Sequence, residues 1–401
     1  MATKLTTSSR IVIAGGGTWA VSTALHLARR GASAGDFLPW RWLTCLGALA
    51  EDASDGDGDS DGDVSMILLG RAMGGWLHDP VFKPYYHATG YIVAADTPAA
   101  LKKVEGRERA GSGFGYARLE TAAEFRKTMP PGVLTGGFPG WRGVFRSSGA
   151  GWVHARKALE SAAREAQRLG VKFVTGSPQG SVTGLICEDG DVLGVRTADG
   201  KEHRGDRTVL AAGAGSDALF DFKDQLRPTA WTLGHIKMSG DEMALYKNLP
   251  VLFNIEKGFF MEPDEDNHEL KICDEHPGYC NWITGPDGKN KEHRPLSFAR
   301  ICWCADTPDR EFLIDTPPGY ASLILAAGAS GHGFMHITSV GGLVVDLMEG
   351  KLEPKLKHAF RWRPETAVNR NWKDLQGRFG GPNKIMDFQE VTEWTDLPAR
   401  E

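Results

Sequence analysis

A short β-branched run, Ile11, Val12 and Ile13, predicts a buried parallel strand near the start of the chain. A helix is expected after it, with Ala24, Leu25, Leu27 and Ala28 available for packing. Arg29 and Arg30 suit its last turn, and Gly31 suits the residue past its C-cap. A second helical pattern covers residues 153 to 169, with Ala155, Leu159, Ala162, Ala163 and Ala166 on or near one face. Residues 171 to 176 read as a strand. Residues 181 to 208 read as a β-meander, with turn signals at 188–190 and 198–200. The run Val209–Ala212 is then a strand that ends in the small residues Gly213, Ala214, Gly215 and Ser216. Residues 323 to 341, LILAAGASGHGFMHITSVG, are an apolar strand opening into Gly328, Gly331 and Gly333. A helix from 341 to 349 is expected to follow, stopped at Gly350.

The junction of the first strand and helix carries chemistry. Gly15-x-Gly17-x-x-Ala20 has the order of a dinucleotide fingerprint. The first glycine makes the tight turn and the second lets backbone approach a pyrophosphate. A small third residue lets the helix lie close to the strand. The helix N-terminus offers N–H groups to the phosphates. The order of N-terminal strand and helix, meander and closing strand suits a flavin-binding α/β fold. No second glycine fingerprint in a helix context follows, so no nicotinamide co-substrate is expected.

One expected part is missing from the pattern. An acid usually ends the second strand and holds the ribose, about 20 residues on. Residues 32 to 64 show no clean second strand, and Asp36 stands close in spacing but in the wrong context. Asp55, Asp57, Asp59, Asp61 and Asp63 alternate with Gly and Ser. Read as a calcium loop, the run places Leu68 where a bidentate Glu is needed. A mobile acidic loop is the expectation, and no metal site.

Composition narrows the classes further. Lys+Arg is 46 and Asp+Glu is 51, a formal net charge of −5, which offers no bulk attraction to nucleic acid. No run of eighteen apolar residues is present, so neither a membrane span nor a membrane partner is expected. Six cysteines in 401 residues are too few for a disulfide scaffold. With no secretory signal, a cytoplasmic location is expected; the peroxisome is the alternative, although the last three residues are not a Ser-Lys-Leu-type address.

Several longer stretches carry a family resemblance. They are SSRIVIAGGGTW, DPVFKPYYHATGYIVAA, SSGAGWVHARKALESA, RPTAWTLGHIKM, GFFMEPDEDNHELKICDEHPGY, RICWCADTPDREFLID, GASGHGFMHI and GRFGGPNKIMDF. Together they resemble the fructosyl amino acid and fructosyl peptide oxidases (amadoriases) of the sarcosine oxidase-like flavoenzymes. The resemblance implies FAD bound covalently through a cysteine, which by position is Cys302. The residues alone leave a buried structural thiol as the other reading of Cys302, although Arg300 nearby would favour a thiolate. The resemblance also implies that Lys271 assists reaction with O2 and that Glu275 binds substrate. A C-terminal arginine is expected to touch substrate, with Arg361 and Arg363 as the candidates. Gly331, His332, Gly333, Phe334 and Met335 are expected along the flavin edge. Met335 stands where sarcosine oxidases carry a lysine for the substrate carboxylate.

The implied reaction oxidises the C–N bond of a glycated amino acid or dipeptide. It releases glucosone, the free amino acid or peptide, and hydrogen peroxide. Two other readings stand beside it. One is an FAD oxidase of N-methyl or cyclic secondary amino acids, of the sarcosine or pipecolate type. The other is a catalytically impaired relative, because residues 32–64 and 280–297 depart from the family pattern. The expected architecture is α/β. A Rossmann-like FAD-binding domain (residues 1–78, 146–222 and 303–360) is interleaved with a substrate domain (79–145 and 223–302) on a mostly antiparallel sheet. Residues 361–401 form a tail returning to the FAD domain, anchored by Trp362, Trp372 and Phe379. A monomer is expected.

Overall fold

The computed structural model describes residues 9–31, 34–38, 61–110, 116–255, 259–264, 268–274, 279–280, 282–284, 290–292, 301–370 and 386–387. Two sheets organise it. The first has six strands in the order Leu313–Asp315, Leu323–Ala327, Arg207–Leu210, Ile11–Ala14, Ala34–Leu38 and Lys172–Phe173. All its pairs are parallel except the edge pair formed by Leu313–Asp315. Parallel strands covered on both faces read as continuous apolar runs, and Ile11–Ala14 and Leu323–Ala327 are buried at every position.

The second strand of this sheet corrects the sequence reading. Ala34–Leu38 pairs in parallel with Ile11–Ala14, with a register shift between Ile11 and Ile13. The central sheet therefore keeps its usual partner, and Asp36 stands inside that strand, opposite Lys172. The segment AGDFL is too short and too polar for its own pattern to declare a strand; its neighbours on either side supply the ladder. The predicted strand at 171–176 forms only at Lys172–Phe173. Residues 39–60, with the acidic residues Asp55, Asp57 and Asp59, lie outside the described residues. Asp61 and Asp63 open an unpredicted helix, Asp61–His78.

Helices pack on one face of the six-stranded sheet, and the three-stranded meander covers the other. Thr18–Arg29 follows the first strand and crosses Val340–Met348. Ala155–Arg168 lies beside it, with Ala158, Ala162 and Ala166 buried at helical spacing. The meander forms as Val182–Glu188, Asp191–Thr197 and Glu202–Arg204, all antiparallel. One apolar core gathers Ile11, Ile13, Leu25, Val153, Val209 and Phe334. A second, under the meander, gathers Val12, Val192, Val195, Leu210 and Leu325.

The other sheet has eight strands, in the order Ile301–Asp306, Arg227–Lys237, Glu269–Asp274, Phe259–Asp264, Val251–Asn254, Tyr91–Ala95, Arg142–Arg146 and Tyr116–Leu119. Its pairs are antiparallel except Val251–Asn254 with Tyr91–Ala95. The long strand Arg227–Lys237 changes partner along its length. Residues 227–232 pair with Ile301–Asp306, and residues 233–237 pair with Glu269–Asp274. A two-stranded ribbon, Tyr86–His87 with Trp152–Val153, joins the two halves. Val153 belongs to the core of the six-stranded sheet, whereas Trp152 belongs to the core of the eight-stranded one. No helix among the described residues is long and apolar enough to cross a membrane.

Candidate active site

The fingerprint residues sit at the carboxyl end of the first strand, the usual ligand side of an open parallel sheet. Gly15 has φ +142°, and a Cβ there would lie 2.1 Å from the Ala211 carbonyl oxygen. Only glycine fits this close approach of two strand ends. The same Cβ would lie 3.2 Å from that of Ala20, which is why the third position is small. Gly17 is the N-cap of the Thr18–Arg29 helix and caps nothing with a side chain. No acidic residue occupies the first turn of that helix. The positive end of its dipole is thus left uncompensated by the protein, which suits a pyrophosphate.

The strand Arg207–Leu210 leads into a 3-10 helix, Gly213–Ala218, which packs on Arg227–Lys237 and Ile301–Asp306. Three buried polar atoms in this neighbourhood have no hydrogen-bond partner. They are Ser216 Oγ, Thr229 Oγ1 and Trp303 Nε1. Buried donors without partners are costly, and a polar ring system bearing several acceptors would satisfy them. These residues fit a flavin dinucleotide at the junction of the two sheets.

Cys302 lies in Ile301–Asp306 opposite Trp231, and Cys304 lies opposite Thr229. The glycine-rich loop is tied to the end of the same strand. Ser330 N–H donates to the Ala305 carbonyl at 3.0 Å, and Thr307 N–H donates to Ser330 Oγ at 3.1 Å. Gly331 has φ +82°. His332 stacks on Phe312, with centroids 5.2 Å apart. A Cβ at Gly333 would lie 2.5 Å from the Ala329 Cβ and 2.9 Å from Trp19 Nε1. Phe334 and Met335 are both buried in the core of the six-stranded sheet. Their side chains are packing groups, so any polar contact this stretch makes with a ligand comes from its backbone. His336 is fully enclosed, and burial lowers its pKa to about 4.

The remaining predicted residues separate. Lys271 lies in Glu269–Asp274, between His235 and Glu262 of the adjoining strands. Glu275 lies just past that strand, outside the described residues, as do Trp372 and Phe379. Arg361 lies at the surface, pairing with Glu365 at 2.9 Å and donating to the His358 carbonyl. Arg363 departs from the expectation of a substrate contact. It is buried, and its Nε and Nη2 grip both carboxylate oxygens of Asp309 at 2.5 and 2.8 Å. Nη1 donates to the carbonyls of Phe312 and Arg361, and Nη2 to that of Glu311. All five N–H donors are engaged, so none remains for a carboxylate of substrate. Arg363 instead staples the C-terminal segment to the turn before Leu313–Asp315.

Sequence reasoning passed over two features. Asp36 lies within the second strand, two residues before its end at Leu38, whereas a ribose-binding acid usually stands at the end of that strand. The spacing of Asp36 from Gly17 was the available signal. The helix Asp61–His78 supports the glycine-rich loop, and nothing local pointed to it. No group of three or more His, Cys, Asp or Glu side chains among the described residues could hold a metal ion.

Comparison with known proteins agrees with this geometry. Residues 69–347 match the family model of FAD dependent oxidoreductases. The structure resembles Amadoriase I of Aspergillus fumigatus (a Ser67Cys/Pro121Cys mutant), with a TM-score of 0.89 and 49% identity, covering 98% of each chain. Amadoriase II of the same organism, a deglycating fructosamine oxidase solved in complex with FSA, is 48% identical over 99% of each chain, with a TM-score of 0.89. L-saccharopine oxidase of Schizosaccharomyces pombe is 24% identical, over 96% of this chain and 98% of its own. The chain belongs to the FAD-dependent oxidoreductases and, within their sarcosine oxidase-like group, to the amadoriases.

Proposed function

We propose that this protein is an FAD-dependent oxidase of fructosyl amino acids or fructosyl peptides. The observation that carries the reading is 49% identity to an amadoriase over 98% of both chains, together with a fingerprint turn so tight that a Cβ on Gly15 would lie 2.1 Å from the Ala211 carbonyl oxygen. Bound FAD supplies two-electron acceptance from the carbon beside the substrate nitrogen and reoxidation by O2 to hydrogen peroxide.

The chain's own residues hold and orient the reactants. Gly15, Gly17 and Ala20 bring the helix N-terminus against the pyrophosphate. Cys302 is our candidate for covalent attachment, and residues 331–335 for the flavin edge through their backbone. Lys271 is assigned the role of a fixed positive charge for oxygen reduction, and Glu275 that of a partner to the substrate amine or sugar hydroxyls. The substrate is a small molecule between the eight-stranded sheet and the cofactor-binding sheet. We assign residues 1–78, 146–222 and 303–360 to the FAD domain, residues 79–145 and 223–302 to the substrate domain, and residues 361–401 to a returning tail. We infer a cytoplasmic location, supported by the sparse cysteines, and a monomer.

The test has two parts. The purified protein is precipitated with acid, and its visible spectrum is taken before and after. Flavin in the pellet that moves to the supernatant in C302S, and not in C304S, supports the attachment site. Peroxide release is then measured with fructosyl-valine, ε-fructosyl-lysine and a fructosyl dipeptide, beside saccharopine and sarcosine. Turnover confined to the last two would overturn the substrate class, and a colourless protein would overturn the FAD assignment.

A further inference from the structure

Two buried indoles hold the backbone of the glycine-rich loop. Trp19 Nε1 donates to the Gly333 carbonyl at 3.2 Å, and Trp76 Nε1 donates to the Met335 carbonyl at 2.7 Å. Trp76 is fully buried, edge-on to Phe82 with centroids 5.6 Å apart, and lies 6.4 Å from Phe334. It is also part of a stripe. Along Asp61–His78, the backbone of Leu68 is hydrogen-bonded by His336, and the Ala72 carbonyl accepts from Thr338 Oγ1 at 2.8 Å. Leu68, Ala72 and Trp76 are one helical turn apart, so a single face of this helix grips residues 335, 336 and 338. Close approach makes this possible: a Cβ at Gly75 would lie 2.3 Å from the Thr338 Cβ.

A peptide group is planar, so a carbonyl held in one direction fixes the adjoining N–H in the other. Trp76 therefore orients the peptide between Met335 and His336, and Trp19 orients the one between Gly333 and Phe334. Met335 and Phe334 turn their side chains into the core, and the His336 N–H closes the 3-10 turn Gly333–His336, so Trp76 fixes that turn as a unit and the N–H groups at its start are the part able to address a ligand. We propose that Trp76 is a positioning residue for the cofactor: its indole N–H sets the backbone that meets the flavin edge. The proposal rests on the FAD reading given above.

W76F keeps an aromatic ring and removes the donor, so the Met335 carbonyl loses its partner. Amide exchange at residues 333–338 is read by mass spectrometry, with the flavin absorption maxima, midpoint potential and covalently loaded fraction measured on the same samples. We expect about tenfold faster exchange at 333–338 and displaced flavin bands, with exchange in the eight-stranded sheet unchanged. A merely structural indole would leave the flavin bands and potential where they are. A yellow wild type matched by W76F in exchange and spectrum overturns this proposal alone. A colourless wild type overturns the FAD reading and this proposal with it. Should W76F fail to fold, site-specific β-(3-benzothienyl)alanine at position 76 keeps the ring shape without the N–H, and the same readings decide.

Discussion

The backbone N–H of Gly341 donates to the Ser22 hydroxyl at 2.9 Å, and a Cβ on Gly341 would lie 2.2 Å from the Ser22 carbonyl. Two helices from opposite ends of the chain thus cross in backbone contact, behind the fingerprint turn. Neither backbone can yield locally, so Gly341→Ala is expected to cost about 1–3 kcal/mol in urea unfolding. Gly70 is the control. It is an exposed helical glycine with open space where a Cβ would stand, and Gly70→Ala is expected to stabilise by about 0.5–1 kcal/mol.

Gly15→Ala meets two obstacles at once, a φ of +142° and the Ala211 carbonyl 2.1 Å away. Separating the strand ends would open the turn that faces the pyrophosphate. Flavin content, read as the ratio of visible to ultraviolet absorbance, is expected to fall about tenfold or more, while far-UV circular dichroism still reports a folded sheet. Full flavin content in this variant would show that the turn is not the dinucleotide site.

Arg363 and Arg361 are expected to behave oppositely. Removing the buried guanidinium by Arg363→Ala should cost about 2–3 kcal/mol, because three backbone carbonyls lose their donor, while the exposed Asp309 carboxylate turns to water. Arg361→Ala removes a surface pair and should stay within about 0.5 kcal/mol. Denaturant unfolding separates the two. A KM raised in Arg361→Ala, with stability unchanged, would return Arg361 to the substrate site.

Acid should destabilise the fold through His336. Burial depresses its pKa from 6.5 to about 4, so the folded protein holds it neutral. Between those values the unfolded chain binds a proton that the folded chain refuses. Its contribution is fully present above pH 6.5 and falls as pH drops toward 4, by roughly 3 kcal/mol in all. His336→Asn should flatten that part of the stability profile. Equal slopes for the variant and the wild type between pH 7 and 4.5 would assign the acid sensitivity to other groups.

What the sequence by itself determined were the features whose cause is local. A strand, two spaced glycines, a small residue and a helix follow each other within twenty residues, and Gly15 and Ala20 pack as that order requires. The meander turns and the helix ending before Gly350 are equally local, since Gly190, Gly200 and Gly350 all adopt positive φ. The tertiary structure alone decided the rest. Ala34–Leu38 is a strand because Ile11–Ala14 and Lys172–Phe173 offer it hydrogen bonds on both edges, not because AGDFL alternates. Asp61–His78, carrying four glycines, has a weak pattern of its own and is defined by what its face at Leu68, Ala72 and Trp76 holds. An arginine near the C-terminus reads alike whether it binds substrate or Asp309. Only the fold, by bringing residue 309 beside residue 363, shows which of its donors are already engaged. Propensity and turn geometry act over a few residues, whereas pairing and charge neutralisation are settled between segments tens to hundreds of residues apart.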